Sequence, residues 1–176
     1  VSVVPIHSDM RAAELQYLID HSDMVLALVL PQRVADVAQA AAAVGTVCAV
    51  WAHGSPGPLP PAQRQAPLVE EPIGRASECA LLYTSGTTGR PKGCRLLNGY
   101  FLAAGLWYAE LGGACVLRNG LERVITPLPL NHMNAMAFST MVVLMTGGCL
   151  VQLDRFHPQT WWQSVAQSRA TVVHYL

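Results

Sequence analysis

The feature that most constrains this chain is the alternation of short, unbroken apolar runs with stretches of helical composition. Met24 to Leu30 is an apolar run of strand length, and Pro31 stands where a first helical turn tolerates proline. Val34 to Val44 is Ala-rich helix material, Gly45 stops it, and Thr46 to Trp51 is a second run of strand length. Ahead of this unit, Val1 to Ile6 is a short β-branched run, and Asp9 is placed to cap a helix through about Asp20. A strand that is apolar on both faces needs cover on both, which helices supply when the strands run parallel. The rhythm predicts an α/β fold: parallel-sheet-rich layers with flanking helices.

From His53 to Gly74 the rhythm stops. Six prolines (Pro56, Pro58, Pro60, Pro61, Pro67 and Pro72) and three glycines exclude regular structure there. This stretch reads as a surface loop within one incomplete domain covering residues 1–176, because neither flank alone looks complete. Beyond it the alternation resumes. Strands are expected at Cys79 to Tyr83, Arg123 to Pro127, Cys149 to Leu153 and Thr171 to Tyr175, and helices at Leu97 to Leu111, Ala135 to Met145 and Pro158 to Gln167.

The chemistry concentrates where the strand Cys79 to Tyr83 ends. Leu82-Tyr83-Thr84-Ser85-Gly86-Thr87-Thr88-Gly89-Arg90-Pro91-Lys92-Gly93 leads an apolar segment into a loop of small hydroxyl residues and glycines that closes on a lysine. Glycines let backbone N–H groups turn inward around an anion. Ser and Thr hydroxyls donate to phosphate oxygens or face a magnesium ion, and Lys92 adds a flexible full charge. The run reads as a cradle for nucleotide phosphates between a strand and a helix. It is neither the G-x-x-x-x-G-K-[ST] loop nor the G-x-G-x-x-G turn, because Lys92 is followed by Gly93 and Gly86 by two threonines. Each threonine alone is a turn former; as a unit, the loop is hard to explain that way.

Composition removes other classes. Charged residues make up 12% of the 176-residue chain, with formal net charge zero, about half of the ~25% usual for soluble domains. No basic patch supports nucleic-acid binding, and so low a charge fraction fits a core that packs against further protein. The five cysteines are odd in number and contain no C-x-x-C, and the six histidines contain no H-E-x-x-H. Disulfide and zinc frameworks are therefore not expected, and reduced thiols with no visible leader point to a cytoplasmic protein. Val124 to Leu153 lacks Lys, Arg, Asp and Glu, but prolines and the Gly147-Gly148 pair cut its helical part to about 12–15 residues, too short for a membrane span.

The run Tyr83 to Gly93 resembles the phosphate-binding signature of the adenylate-forming enzymes: acyl- and aryl-CoA ligases, peptide-synthetase adenylation domains and luciferases. Pro127-Leu128-Pro129-Leu130-Asn131-His132-Met133-Asn134-Ala135 resembles the family's Pro-x-x-x-His segment. The nearest resemblance is to ATP-dependent ligases of the crotonobetaine/carnitine-CoA type. It implies part of a large N-terminal domain, an internal fragment whose parent continues beyond Leu176 into adenine, ribose and catalytic-lysine elements.

By that resemblance, a carboxylate attacks the α-phosphorus of ATP, and a thiol, usually coenzyme A, then takes the acyl group. Thr84, Ser85, Gly86, Thr87, Thr88, Gly89 and Lys92 match the nucleotide motif. Ser85 to Thr88 would hold the β- and γ-phosphates, Lys92 would neutralise pyrophosphate, and Thr84 would face Mg²⁺. His132 would orient the carboxylate, and Asn134 would line the acyl pocket or else cap the helix from Ala135. The family often places Gly shortly after this His, whereas Met133-Asn134-Ala135 stands here. Arg90 reads as a solvated arginine. The implied partners are ATP, Mg²⁺, coenzyme A and a small carboxylic acid, with a homo-oligomeric parent left open. The competing expectations are a peptide-synthetase adenylation domain, which needs a carrier-protein acceptor, and a non-catalytic nucleotide-binding module.

Overall fold

The computed structural model describes residues 1–61, 72–84 and 90–175, which divide into two compact units, Ile6–Pro72 and Val1–Pro5 with Ile73–Leu176. The Pro/Gly-rich stretch holds no helix or strand over residues 53–61 and 72–74, and its centre lies outside the described residues.

In the first unit, helix α1 (Ala12–Ser22) precedes strand β1 (Leu26–Val29). A 3₁₀ turn (Pro31–Arg33) then leads into α2 (Val34–Ala43) and β2 (Ala49–Ala52). β1 and β2 pair in parallel, Leu26 beside Ala49 through Val29 beside Ala52. Leu15 and Ile19 of α1 and Val37, Ala40 and Ala41 of α2 pack around Ala27 as one buried cluster. Small residues on α2 let it lie close to the sheet. Helix α1 starts later than Asp9 suggests: Glu14 reaches back to accept from the Arg11 N–H at 2.8 Å, so the return half of a capping box secures the first turn. Gly45 takes φ +70° and ends the α2 segment as expected.

The second unit opens with the expected strand, paired to one the sequence did not announce. β3 (Glu78–Thr84) runs antiparallel to β4 (Lys92–Leu97), so the hydroxyl-rich loop joins two strands rather than a strand and a helix. The N-terminal segment adds only an isolated parallel bridge, Val3 beside Ala80. Helix α3 (Asn98–Ala109) follows without one charged residue. Strand β5 (Arg123–Thr126) precedes a π turn (Asn134–Ser139) that runs directly into α4 (Thr140–Thr146). Then come β6 (Cys149–Gln152), α5 (Trp161–Ser168) and β7 (Val172–Val173). The last three strands form a parallel sheet ordered β6-β5-β7.

Two buried clusters hold this unit. Ala80 and Leu82 of β3 meet Phe101 and Ala104 of α3 and Ala137 of the π turn. Val124 of β5 meets Val142 and Val143 of α4. Helices α3 and α4 touch at Gly105, where an added Cβ would lie 2.7 Å from Met145 Sδ and 2.9 Å from Met141 Cβ.

The amino ends of the parallel sheet are tied by Glu122, which is 4% exposed. Its carboxylate accepts from the Arg118 backbone N–H at 3.0 Å and from Arg118 Nε at 2.7 Å, and also from the Thr171 hydroxyl. Its backbone carbonyl accepts from the Cys149 N–H at 2.8 Å, and Thr171 Oγ1 accepts from the Arg123 N–H at 2.9 Å. These bonds join the starts of all three strands.

Candidate functional site

The β3–β4 register sets Thr84 directly opposite Lys92. Directly opposed residues project to the same face with Cβ atoms about 4.5–5.5 Å apart. A hydroxyl and an ammonium-bearing chain, both exposed, therefore stand side by side at the mouth of the loop. Ser85, Gly86, Thr87, Thr88 and Gly89, the centre of the expected cradle, lie outside the described residues. Lower on the hairpin, Glu78 accepts from Ser2 Oγ and Arg95 Nε, each at 2.7 Å, and these bonds hold its carboxyl below the usual carboxylate range.

The second motif starts at the carboxyl end of β5. Two bonds shape its path. The Leu128 N–H donates to Thr126 Oγ1 at 3.1 Å, and Gln152 Nε2 at the end of β6 donates to the Leu128 carbonyl at 2.8 Å. The chain then turns through the His132 N–H to Pro129 carbonyl bond at 3.0 Å and enters the helix, with His132 exposed. Asn134 is half-buried and is the first residue of the π turn. Met133, not Asn134, occupies the cap position, and no side-chain bond caps this end, so the capping role expected for Asn134 is not taken up.

Strand order gives this position its meaning. β5 is central, its successor β6 lies on one side, and β7 lies on the other. In open α/β sheets, ligands bind outside the carboxyl ends of strands where the winding changes side. The Pro127 to Asn134 segment lies at such a point. The cluster joining β3, α3 and the π turn also includes Met133 and Met136, so one core supports the hairpin bearing Thr84 and Lys92 and the π turn that follows His132.

Three polar residues at this end escaped the sequence reading. His174, which carried no motif, is 8% exposed and follows β7. Its Nδ1 is hydrogen-bonded to Oγ of the fully buried Ser139, and desolvation lowers its pKa. Gln152 was read only as strand; its Oε1 is buried and has no partner among the described residues. No local signal marks any of them, because each acquires its environment from residues distant in sequence. Among the described residues, no cluster of His, Cys, Asp or Glu could hold a metal, and no helix is long and apolar enough to cross a membrane.

Comparison with known proteins finds relatives over most of the chain. A sulfoacetate–CoA ligase of Cupriavidus necator is 31% identical over 96% of this chain, which spans 33% of that protein. A crotonobetaine/carnitine–CoA ligase of Escherichia coli is 29% identical over 57% of the chain and is covered to 19%. The structure superposes on ATP-bound MatB from Rhodopseudomonas palustris with a TM-score of 0.75 and 25% identity, covering 98% of this chain and 33% of that one. With the AMP-binding enzyme model matching residues 1–176 in full, the chain belongs to the AMP-binding, adenylate-forming enzyme family.

Proposed function

We propose that this chain carries the phosphate-binding and part of the acid-binding machinery of an AMP-forming acid–thiol ligase. The protein would activate a carboxylic acid with ATP and pass the acyl group to coenzyme A. The observation that carries the reading is the placement of Thr84 beside Lys92 at the mouth of a Ser/Gly/Thr loop, in a chain of the AMP-binding family.

In the first step the carboxylate oxygen bonds to the α-phosphorus and the bond to pyrophosphate breaks. Charge accumulates on the leaving group, and groups fixed in advance around it lower the barrier. Lys92 supplies a full positive charge. Ser85 to Thr88 supply hydroxyls and N–H groups for the β- and γ-phosphates. Mg²⁺, a hard ion that keeps water and phosphate ligands, would add charge neutralisation with Thr84 as one hydroxyl ligand. The exposed Thr84 hydroxyl and the lack of an acidic cluster among the described residues suit an ion that arrives with the nucleotide. His132 and Asn134, at the carboxyl end of β5, orient the acid. Coenzyme A is preferred over a carrier protein as acceptor because both curated relatives cited are CoA ligases.

The test is pyrophosphate exchange into ATP by the full-length protein, with sulfoacetate, crotonobetaine and carnitine, the acids in the names of its relatives, as candidates. Lys92→Ala should lower exchange about 10²–10³-fold, the usual effect of losing one preorganised charge-stabilising group. Exchange at the wild-type rate in that variant would remove Lys92 from the mechanism. Titration with Mg-ATP that shows binding without exchange for any acid would instead favour a nucleotide-binding module.

A further inference from the structure

The π turn is the unusual element of this fold. A π turn closes its hydrogen bonds one residue further along than an α-helix, and it is rare, occurring mostly as a single turn within α-helices and frequently at functional sites. Here it occupies Asn134–Ser139, directly after His132 and Met133. One restraint is local: the Thr140 N–H and Oγ1 both donate to the Ala135 carbonyl, the side chain at 2.8 Å. The other is distant. Ser139, the last residue of the turn, is fully buried, and its hydroxyl is bonded to His174 Nδ1, 35 residues away.

His174 is itself anchored. Its backbone N–H donates to the Ile125 carbonyl of β5 at 2.9 Å, and its ring lies 5.5 Å from that of Tyr108. Tyr108 in turn lies 5.8 Å from Phe138, the π-turn residue next to Ser139. A closed circuit results: β5 leads through Pro127 to His132, through the π turn to Ser139, across to His174, and back to β5. Without the Ser139–His174 link the turn can relax toward α geometry. Gaining or losing one residue of winding rotates what precedes it by about 100°, which would swing His132 and Asn134 away from the carboxyl end of β5.

We infer that Ser139 and His174 are positioning residues for the acid-binding edge: their buried pair holds the π turn open and so fixes where His132 and Asn134 face. The inference rests on the proposed acid-orienting role of those two residues.

The experiment is pyrophosphate exchange by the full-length protein, using whichever acid of the panel above exchanges fastest, with KM measured separately for acid and for Mg-ATP. Ser139→Ala and His174→Leu should raise KM for the acid about tenfold or more, since small misplacements of orienting groups are costly, and leave KM for Mg-ATP within twofold. His174→Asn, which restores a polar atom near the place of Nδ1, should recover most of the loss. Thermal unfolding shows which variants are folded; if Ser139→Ala is not, Ser139→Cys retains the volume with a weaker bond and should give an intermediate KM. Equal changes in both KM values, no change in either, or no rescue by His174→Asn would overturn the inference while leaving the ligase assignment intact. Absence of exchange in the wild-type protein for every acid would overturn the assignment and this inference with it.

Discussion

The α3–α4 contact at Gly105 offers a decisive test of the packing that supports the proposed acid-binding edge. Replacing Gly105 by Ala changes two terms of opposite sign. Helix propensity favours Ala over Gly by about 1 kcal/mol. Against this, the new methyl carbon would sit 2.7 Å from Met145 Sδ, 2.9 Å from Met141 Cβ and 3.2 Å from the Met141 carbonyl carbon. Carbon atoms rest about 3.5–4.0 Å apart. The Met145 thioether can rotate away, but Met141 Cβ and its carbonyl carbon belong to the framework of α4, so the helices must part by several tenths of an ångström. Overpacking of this kind costs about 1–3 kcal/mol. The expected net is a loss of about 1 kcal/mol, and α4 carries the π turn with it. Urea unfolding of the full-length protein, wild type against Gly105→Ala, reads the first effect, and KM for the acid reads the second. A stabilised Gly105→Ala protein would refute the reasoning, because propensity would then have outweighed a contact too loose to matter.

Two further outcomes follow from the tied end of the parallel sheet. At Gly148 an added Cβ would lie 2.7 Å from the Glu122 carbonyl oxygen, a backbone atom already bonded to the Cys149 N–H. Gly148→Ala should therefore destabilise by about 1–3 kcal/mol, measured by urea unfolding, and an unchanged midpoint would mean the strand starts can separate freely. The bonds that Arg118 and Thr171 donate to the Glu122 carboxylate lower its pKa from 4.5 to about 2. Between these values the unfolded chain binds more protons than the folded one, so this contribution to stability is complete above about pH 4.5 and is lost as the pH falls through about 2. Glu122→Gln should flatten the stability profile in that window; an acid profile identical to wild type would show that Glu122 is not held as described.

Much of the candidate site was legible because its signals are local. The hydroxyl- and glycine-rich run with its closing lysine, and the Pro-Leu-Pro-Leu-Asn-His segment, are contiguous, and the chemistry proposed for them rests on residue type, order and resemblance. β4 was not legible: Lys92-Gly93-Cys94-Arg95 lacks the β-branched and aromatic residues that mark strands, and it becomes a strand because β3 supplies its partners. Trp107, Trp161 and Trp162 suit core or interface packing by residue type, and the structure separates them: Trp161 is 8% exposed, while Trp107 and Trp162 are 56% and 74% exposed. Composition does not tell a residue which way its helix will turn. The Ser139–His174 and Glu122–Thr171 pairs were invisible for a plainer reason, since their members are 35 and 49 positions apart.

By itself, the sequence determined the α/β alternation, the parallel pairing of its apolar strands and the place of the hydroxyl- and glycine-rich run proposed to bind phosphate. Periodicity and turn chemistry act over a few residues, and the chain carries them wherever it goes. Only the tertiary structure decided that Thr84 pairs opposite Lys92, that β5 is the central strand whose carboxyl end receives the His132 segment, and that a buried serine at the end of that segment's π turn bonds a buried histidine. Those features depend on register, strand order and the burial of polar groups, and these are set only when segments distant in sequence compete for the same partners and the same core.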